Sequence, residues 1–182
     1  MNDDSFSSLE VSNMTATFRC EKRFDLNQLR LPRSRSTSVN GISRSFASVV
    51  QRIPITSKRT VTALVYASGR VVLVGGRSVG DLQQAITRFL LQHNTRLEEP
   101  LRISNYALHF HTNQPLNLVK LYDAFRKNFE NVHYEVELFP SLNASCGRAR
   151  VIVFHTGKVL ITGVQSVNDA EIVRERVRET IN

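Results

Sequence analysis

The chain has 182 residues, with 24 Lys and Arg against 16 Asp and Glu, a formal charge of +8 and a pI near 10.1. Hydrophobic residues make up 41% of it, enough to fill a core, so wholesale disorder is excluded. No apolar run reaches the roughly 18 residues of a spanning helix, and the acidic start MNDDSFSSLE has no basic or apolar signal segment. Cys20 and Cys146 lie far apart without a CxxC, which predicts a reducing compartment and no disulfide framework.

In chain order, Met14 to Phe18 alternates apolar and polar, the pattern of a half-buried strand. A short helix is predicted over Asp25 to Leu31, stopped by Pro32. A Ser/Arg-rich loop follows, Pro32-Arg33-Ser34-Arg35-Ser36-Thr37-Ser38 and on to Ile42, expected to be mobile and open to phosphorylation. Strands are predicted at Phe46–Ile53, Val61–Tyr66 and Val71–Val74, then a helix opening at Ser78 with Asp81 in its first turn. Its apolar face is Leu82, Ile86, Phe89 and Leu90. The order then repeats: a strand at Tyr106–Phe110, a helix at Leu118–Phe129, strands at Leu138–Leu142, Val151–Phe154 and Val159–Thr162, and a helix opening at Ser166. Ile172, Val173, Val177 and Ile181 supply the apolar face of that last helix.

The repetition extends to individual residues. Val65-Tyr66-Ala67-Ser68-Gly69-Arg70-Val71-Val72 lines up with Val153-Phe154-His155-Thr156-Gly157-Lys158-Val159-Leu160, and Val11-Ser12-Asn13 with Ile103-Ser104-Asn105. A period of about 90 residues is too long for a solenoid unit and reads as a duplicated domain. The expected division is a tail over 1–9, one repeat over 10–97 and a second over 98–182, meeting near Arg96-Leu97-Glu98-Glu99-Pro100. Ser68-Gly69 and Thr156-Gly157 between apolar runs predict hairpins, hence an antiparallel sheet. Val71-Val72-Leu73-Val74 and Val159-Leu160-Ile161-Thr162 are nearly apolar on both faces, while only two long helices are expected to cover the sheet. One sheet face is therefore expected to stay open and apolar, the usual mark of a binding surface.

Charge is unequal between the halves. Residues 1–96 carry 14 basic and 6 acidic residues, and residues 97–182 carry 10 of each. A basic half suits an anionic partner, nucleic acid or a lipid surface. No catalytic or metal constellation emerges. His109-Phe110-His111, with His133 or Cys146, matches no strong zinc spacing, and Gly75-Gly76-Arg77-Ser78-Val79-Gly80 lacks the Gly-Lys-Ser/Thr ending of a phosphate loop. An enzyme is not expected, and no cofactor is called for.

The duplicated strand–helix–strands–helix unit, the paired Ser/Thr-Gly-basic hairpins, Thr62-Ala63-Leu64-Val65-Tyr66-Ala67-Ser68-Gly69-Arg70 and Tyr134-Glu135-Val136-Glu137-Leu138-Phe139-Pro140 together resemble the TATA-box-binding protein family, from about Leu9 to Asn182. The resemblance implies an α+β saddle: a curved antiparallel sheet of about ten strands, with four helices on the convex side. It implies docking of the concave face in the DNA minor groove. The family is itself the standard example of minor-groove bending by apolar wedges between base steps.

Carried across by position, the wedges match Phe46, Tyr66, Phe139 and Phe154, with Tyr66 where the family has Phe. Minor-groove contacts match Asn13, Thr15, Leu64, Val72 and Val74, and Asn105, Ala107, Ile152, Leu160 and Thr162. Thr15 and Ala107 replace valines, and Val74 replaces a threonine. Phosphate contacts match Arg52, Arg70, Arg77 and Lys158, whereas other basic positions of the second half fall near Ser145 and Gln165. That implies a lopsided grip. Glu135 and Glu137 resemble acidic contacts for transcription factor IIB, and Arg88 part of the basic surface for transcription factor IIA. The family's Asn-x-Glu-Tyr motif is missing from the Pro32–Ile42 loop.

The implied function is a nuclear transcription initiation factor, monomeric on DNA with self-association off it. Two alternatives stand beside it: a related factor that has lost TATA recognition and serves as a protein scaffold, or use of the fold in a nuclease or glycosylase accessory domain. The altered groove and uneven charge predict steep salt dependence and modest discrimination between TATA and random DNA.

Overall fold

The structure is a computed structural model that describes residues 6–29 and 48–182. Those residues form nine strands and four helices, grouped in two compact units. One unit is Met14–Ser104; the other is Asn105–Asn182 with the segment up to Asn13. Phe46 and the Pro32–Ile42 loop lie outside the described residues.

β1 (Glu10–Cys20) buries Met14, Ala16, Phe18 and Cys20 and leaves Thr15, Thr17 and Arg19 half-buried on its other side. α1 (Leu26–Leu29) is a single turn begun by Asp25, whose Oδ1 accepts from the Asn27 amide at 3.0 Å. β2 (Ser48–Pro54), β3 (Thr60–Tyr66) and β4 (Arg70–Gly76) form an antiparallel meander, and β1 pairs with β4, giving the order β2-β3-β4-β1. The β3–β4 turn depends on Gly69 at φ +87°. A Cβ there would stand 2.6 Å from the Cys20 carbonyl oxygen and 2.8 Å from that of Lys22.

α2 (Val79–His93) starts where the sequence places it: the Ser78 hydroxyl accepts from the Asp81 amide at 3.1 Å. It ends at Asn94 in the left-handed region, φ +46°. Leu82, Ala85, Ile86 and Phe89 are buried, as are Phe18, Val61, Ala63, Val65, Val71 and Leu73 of the strands. Phe89 meets Phe18 and Phe24 edge-on at 5.7 and 5.9 Å. Burial pushes the Cys20 thiol up to about 11, so it stays protonated and serves as a core side chain.

The other unit contains the second part of β5 (Leu97–His111), α3 (Leu118–Asn128), β6 (Glu130–His133), β7 (Ser141–Cys146), β8 (Ala149–Phe154), β9 (Lys158–Val164) and α4 (Val167–Ile181). Its strands run β5-β9-β8-β7-β6, and its core joins Leu108, Phe110, Leu142, Val151, Val153 and Ile161 to Phe125, Val173 and Val177 of the helices. Phe6, Leu9 and Val11 pack on that core, and Arg174 donates to the Ser7 carbonyl at 2.7 Å.

Three strands differ from expectation. The leading strands are longer than their alternating stretches, since β1 begins at Glu10 and β5 at Leu97, running through Glu98-Glu99-Pro100. The strand expected at Leu138–Leu142 is instead β7, beginning at Ser141, preceded by a turn and by β6. The Glu135 carbonyl accepts the amides of both Leu138 and Phe139, at 3.0 and 2.9 Å, and Pro140 has no amide to give a ladder. Among the described residues, no helix is long and apolar enough to cross a membrane.

Candidate nucleic-acid interface

In each unit one sheet face packs on helices, and the other carries no described helix. α2 lies on β2, β3 and β4 in one unit; α3 and α4 lie on β6, β7 and β9 in the other. Side chains alternate across a strand, so register assigns the open face.

In the unit of residues 14–104, Val50, Leu64, Val72 and Thr17 stand directly opposite one another across β2, β3, β4 and β1. Arg52, Thr62, Val74 and Thr15 form the next row. Tyr66 stands opposite Ser48, and Arg70 opposite Arg19, beyond the other side of the first row. Leu64, Val72, Val74 and Tyr66 are half-buried without a helix over them, while Val61, Ala63, Val65, Val71 and Leu73 on the reverse face are buried.

The other unit repeats the layout. Asn143, Ile152, Leu160 and His109 form one row and Ser145, Arg150, Thr162 and Ala107 the next. Phe154 stands opposite Ser141, and Lys158 opposite His111. Phe139 is half exposed at the entry to β7, its ring edge-on to Phe154 at 6.0 Å. The two aromatics expected in this half are therefore one cluster. In the first half Tyr66 occupies the position of Phe154.

Asn105 accepts the Gly163 amide on Oδ1 at 2.8 Å, and Gly163 follows Thr162. A backbone N–H only donates, so this bond fixes the side-chain amide with its NH2 end turned away. Asn13 is half-buried in the corresponding place on β1. Arg52 and Arg70 are exposed, and Lys158 is half-buried at the start of β9. Arg77 is exposed just before α2, and its amide donates to Asp81 Oδ2 at 3.0 Å. Arg88 is exposed on α2, with its guanidinium donating to the Pro54 carbonyl. Glu135 and Glu137 are exposed on the turn between β6 and β7, beside Val136 and Leu138, of which Leu138 is 79% exposed.

Three polar side chains on the open face escape a position-by-position reading. Asn143 donates its NH2 to the Ser141 carbonyl and hydroxyl, at 3.2 and 3.1 Å. His109 places Nδ1 2.7 Å from the Ser12 hydroxyl and Nε2 3.8 Å from the Glu10 carboxylate. Arg150 is exposed between Ser145 and Thr162. The period-2 pattern Ser141-Leu142-Asn143-Ala144-Ser145 carries the signal for the first, since Leu142 and Ala144 are buried between the polar residues. His109 and His111 share the strand face with ring centroids 5.6 Å apart, and no metal-ligating cluster occurs among the described residues.

The family model for transcription factor TFIID, or TATA-binding protein, matches residues 8–92 and again residues 100–182. TATA-box-binding protein 3 of Methanosarcina mazei is 29% identical over 173 residues, covering 91% of this chain and 90% of that protein. The TATA-box-binding protein of Archaeoglobus fulgidus is 29% identical over 181 residues, covering 95% and 94%. The solved Methanococcus jannaschii TBP superposes with a TM-score of 0.74 at 23% identity, covering 96% of this chain and 98% of that one, so the fold is shared. With one match on each repeat and together over almost the whole length, this chain belongs to the TATA-binding protein family of DNA-binding transcription initiation factors.

Proposed function

We propose that the chain docks the open face of each half into the minor groove of promoter DNA and bends the duplex with aromatic wedges. The observation that carries this reading is the matched placement of Leu64, Val72 and Tyr66 in one unit and Ile152, Leu160 and Phe154 in the other, on faces no described helix covers. Half-buried apolar side chains suit the groove floor, which offers few hydrogen-bond groups to distinguish bases. Phe139 and Phe154 form the second-half wedge; Tyr66 and Phe46 are proposed for the first. The NH2 end of Asn105 meets the adenine N3 and thymine O2 acceptors, with Asn13 in the same role. Thr15, Val74, Ala107 and Thr162 line the floor beside them. Arg52, Arg70, Arg77 and Lys158 hold phosphates and set register.

Glu135 and Glu137, with exposed Leu138 between them and Phe139, form the contact for a transcription factor IIB-like protein. Arg88 contributes to a transcription factor IIA-like contact. The place of work is wherever the genome is kept, the nucleus in a cell that has one. The chain acts as a monomer on DNA, and no catalytic step is assigned to it.

The experiment is alanine replacement of Phe154, read by end-to-end energy transfer on a labelled TATA duplex. Loss of the bend with the fold intact supports the reading; an unchanged bend removes Phe154 from the wedge. A second reading, a scaffold with altered sequence preference, is favoured by Ala107 and Val74, which shorten one floor contact and remove a hydroxyl from another.

A further inference from the structure

The second half lacks a basic residue at Ser145, which occupies the place of Arg52 in the first half. Arg52 lies opposite Thr62, then Val74, then Thr15; Ser145 lies opposite Arg150, then Thr162, then Ala107. The basic side chain has therefore moved one strand inward along the same row. Ala149 and Val151 on either side of Arg150 are buried on the helix side, so Arg150 shares the open face with Ile152 and Phe154.

Two observations at this place suit the binding of an anion. Arg150 is exposed in an inner strand and makes no hydrogen bond or ion pair among the described residues. Directly opposite, the hydroxyl of Ser145 is buried without a hydrogen-bond partner, although the residue is only 4% exposed. An unmade hydrogen bond at a buried hydroxyl calls for an explanation. A phosphate oxygen would accept from both groups at once. The carboxylate facing this row is Glu130, opposite Ser145 on β6. It stands two strand spacings from Arg150, roughly 9–10 Å, and forms no ion pair with it.

Resting on the minor-groove reading above, we propose that Arg150 and Ser145 form a DNA-phosphate subsite in the second half, the counterpart of Arg52 displaced by one strand. The grip is then less lopsided than the charge balance of the two halves suggests.

The test is binding of the full chain to a fluorescent duplex across a salt series, for wild type, Arg150→Ala, Arg150→Lys, Ser145→Ala, Glu130→Gln and Arg52→Ala, with folding checked by circular dichroism. Each phosphate neutralised contributes about 0.9 to the slope of log K against log salt. Arg150→Ala should lower the slope magnitude by about that amount, equally on TATA and scrambled duplexes, as should Arg52→Ala; Arg150→Lys should restore it. Ser145→Ala should keep the slope, weaken binding by a few-fold and leave the melting temperature equal or higher, because an unpaired buried hydroxyl is removed. Glu130→Gln should tighten binding. If wild type binds and Arg52→Ala changes the slope while Arg150→Ala leaves slope and affinity intact, the subsite is overturned and the minor-groove reading survives. Absence of wild-type binding at any salt overturns both.

Discussion

Arg59, on the turn between β2 and β3, places Nη1 2.8 Å from Oδ2 of Asp81 in the first turn of α2. The same carboxylate oxygen accepts the Arg77 amide at 3.0 Å, and Asp81 is 5% exposed. Its repeat partner Asp169 is exposed; the bond there runs from its own amide to the Ser166 hydroxyl, at 3.0 Å. Two residues that match in sequence thus have different tasks. One clamps a hairpin to a helix; the other favours a helix dipole.

Asp81→Ala should therefore destabilise the protein by about 2–3 kcal/mol, since it removes hydrogen bonds to a charged group and strands the Arg77 amide. Asp169→Ala should cost no more than about 1 kcal/mol. Urea unfolding of both variants measures the difference. Equal effects would mean that the clamp contributes nothing.

His93, in the last turn of α2, lies against Phe89 at 4.4 Å and bonds Gln51 through Nε2 at 2.8 Å. Burial, with the Lys22 charge nearby, holds its pKa below the ordinary value. The folded state thus binds its proton less well than the unfolded state. Stability from this group is fully present above pH of about 6.5 and falls as pH drops through that value toward the lowered one. His93→Gln should flatten the dependence of urea midpoint on pH in that window. An unchanged profile would assign the dependence elsewhere.

Much of the frame is legible in the residues themselves. Ser68-Gly69 and Thr156-Gly157 mark turns because both glycines sit at φ +87°, where a side chain is strained. Ser78 and Ser166 announce helix starts because their hydroxyls accept the amide three residues on. What escapes local reading depends on partners. The heads of β1 and β5 contain Ser12-Asn13 and Glu98-Glu99-Pro100, which break the alternation, yet both segments are extended strand. Arg150 looks like an ordinary surface charge until β7 and β8 are aligned and it faces Ser145. The Arg59–Asp81 pair likewise joins residues 22 apart, with no periodic signal between them.

Val74 and Thr162 occupy matched places on β4 and β9, opposite Thr15 and Ala107. Val74→Thr should improve affinity for an A·T-rich site and Thr162→Val should reduce it, each by several-fold, the scale of one hydrogen bond of about 0.5–1.5 kcal/mol. Competition binding with TATA and scrambled duplexes measures this. Changes of the same sign would remove hydroxyl contacts from the recognition.

Tyr66 carries a hydroxyl where its repeat partner Phe154 has none. Pressed into a base step, that hydroxyl must lose water or find a partner. Tyr66→Phe should increase the bend and tighten binding by a few-fold, read by energy transfer between end labels. A weaker bend would mean that the hydroxyl makes a favourable contact in the complex.

The measurement closest to the central claim is binding of wild type to a TATA duplex and to a scrambled duplex of equal length, across a salt series, with bend reported by energy transfer. The prediction is a bent complex at moderate salt, affinity falling steeply as salt rises, and a modest preference for TATA. Equal binding to both duplexes without any bend would contradict minor-groove wedging and leave the open faces to a protein partner.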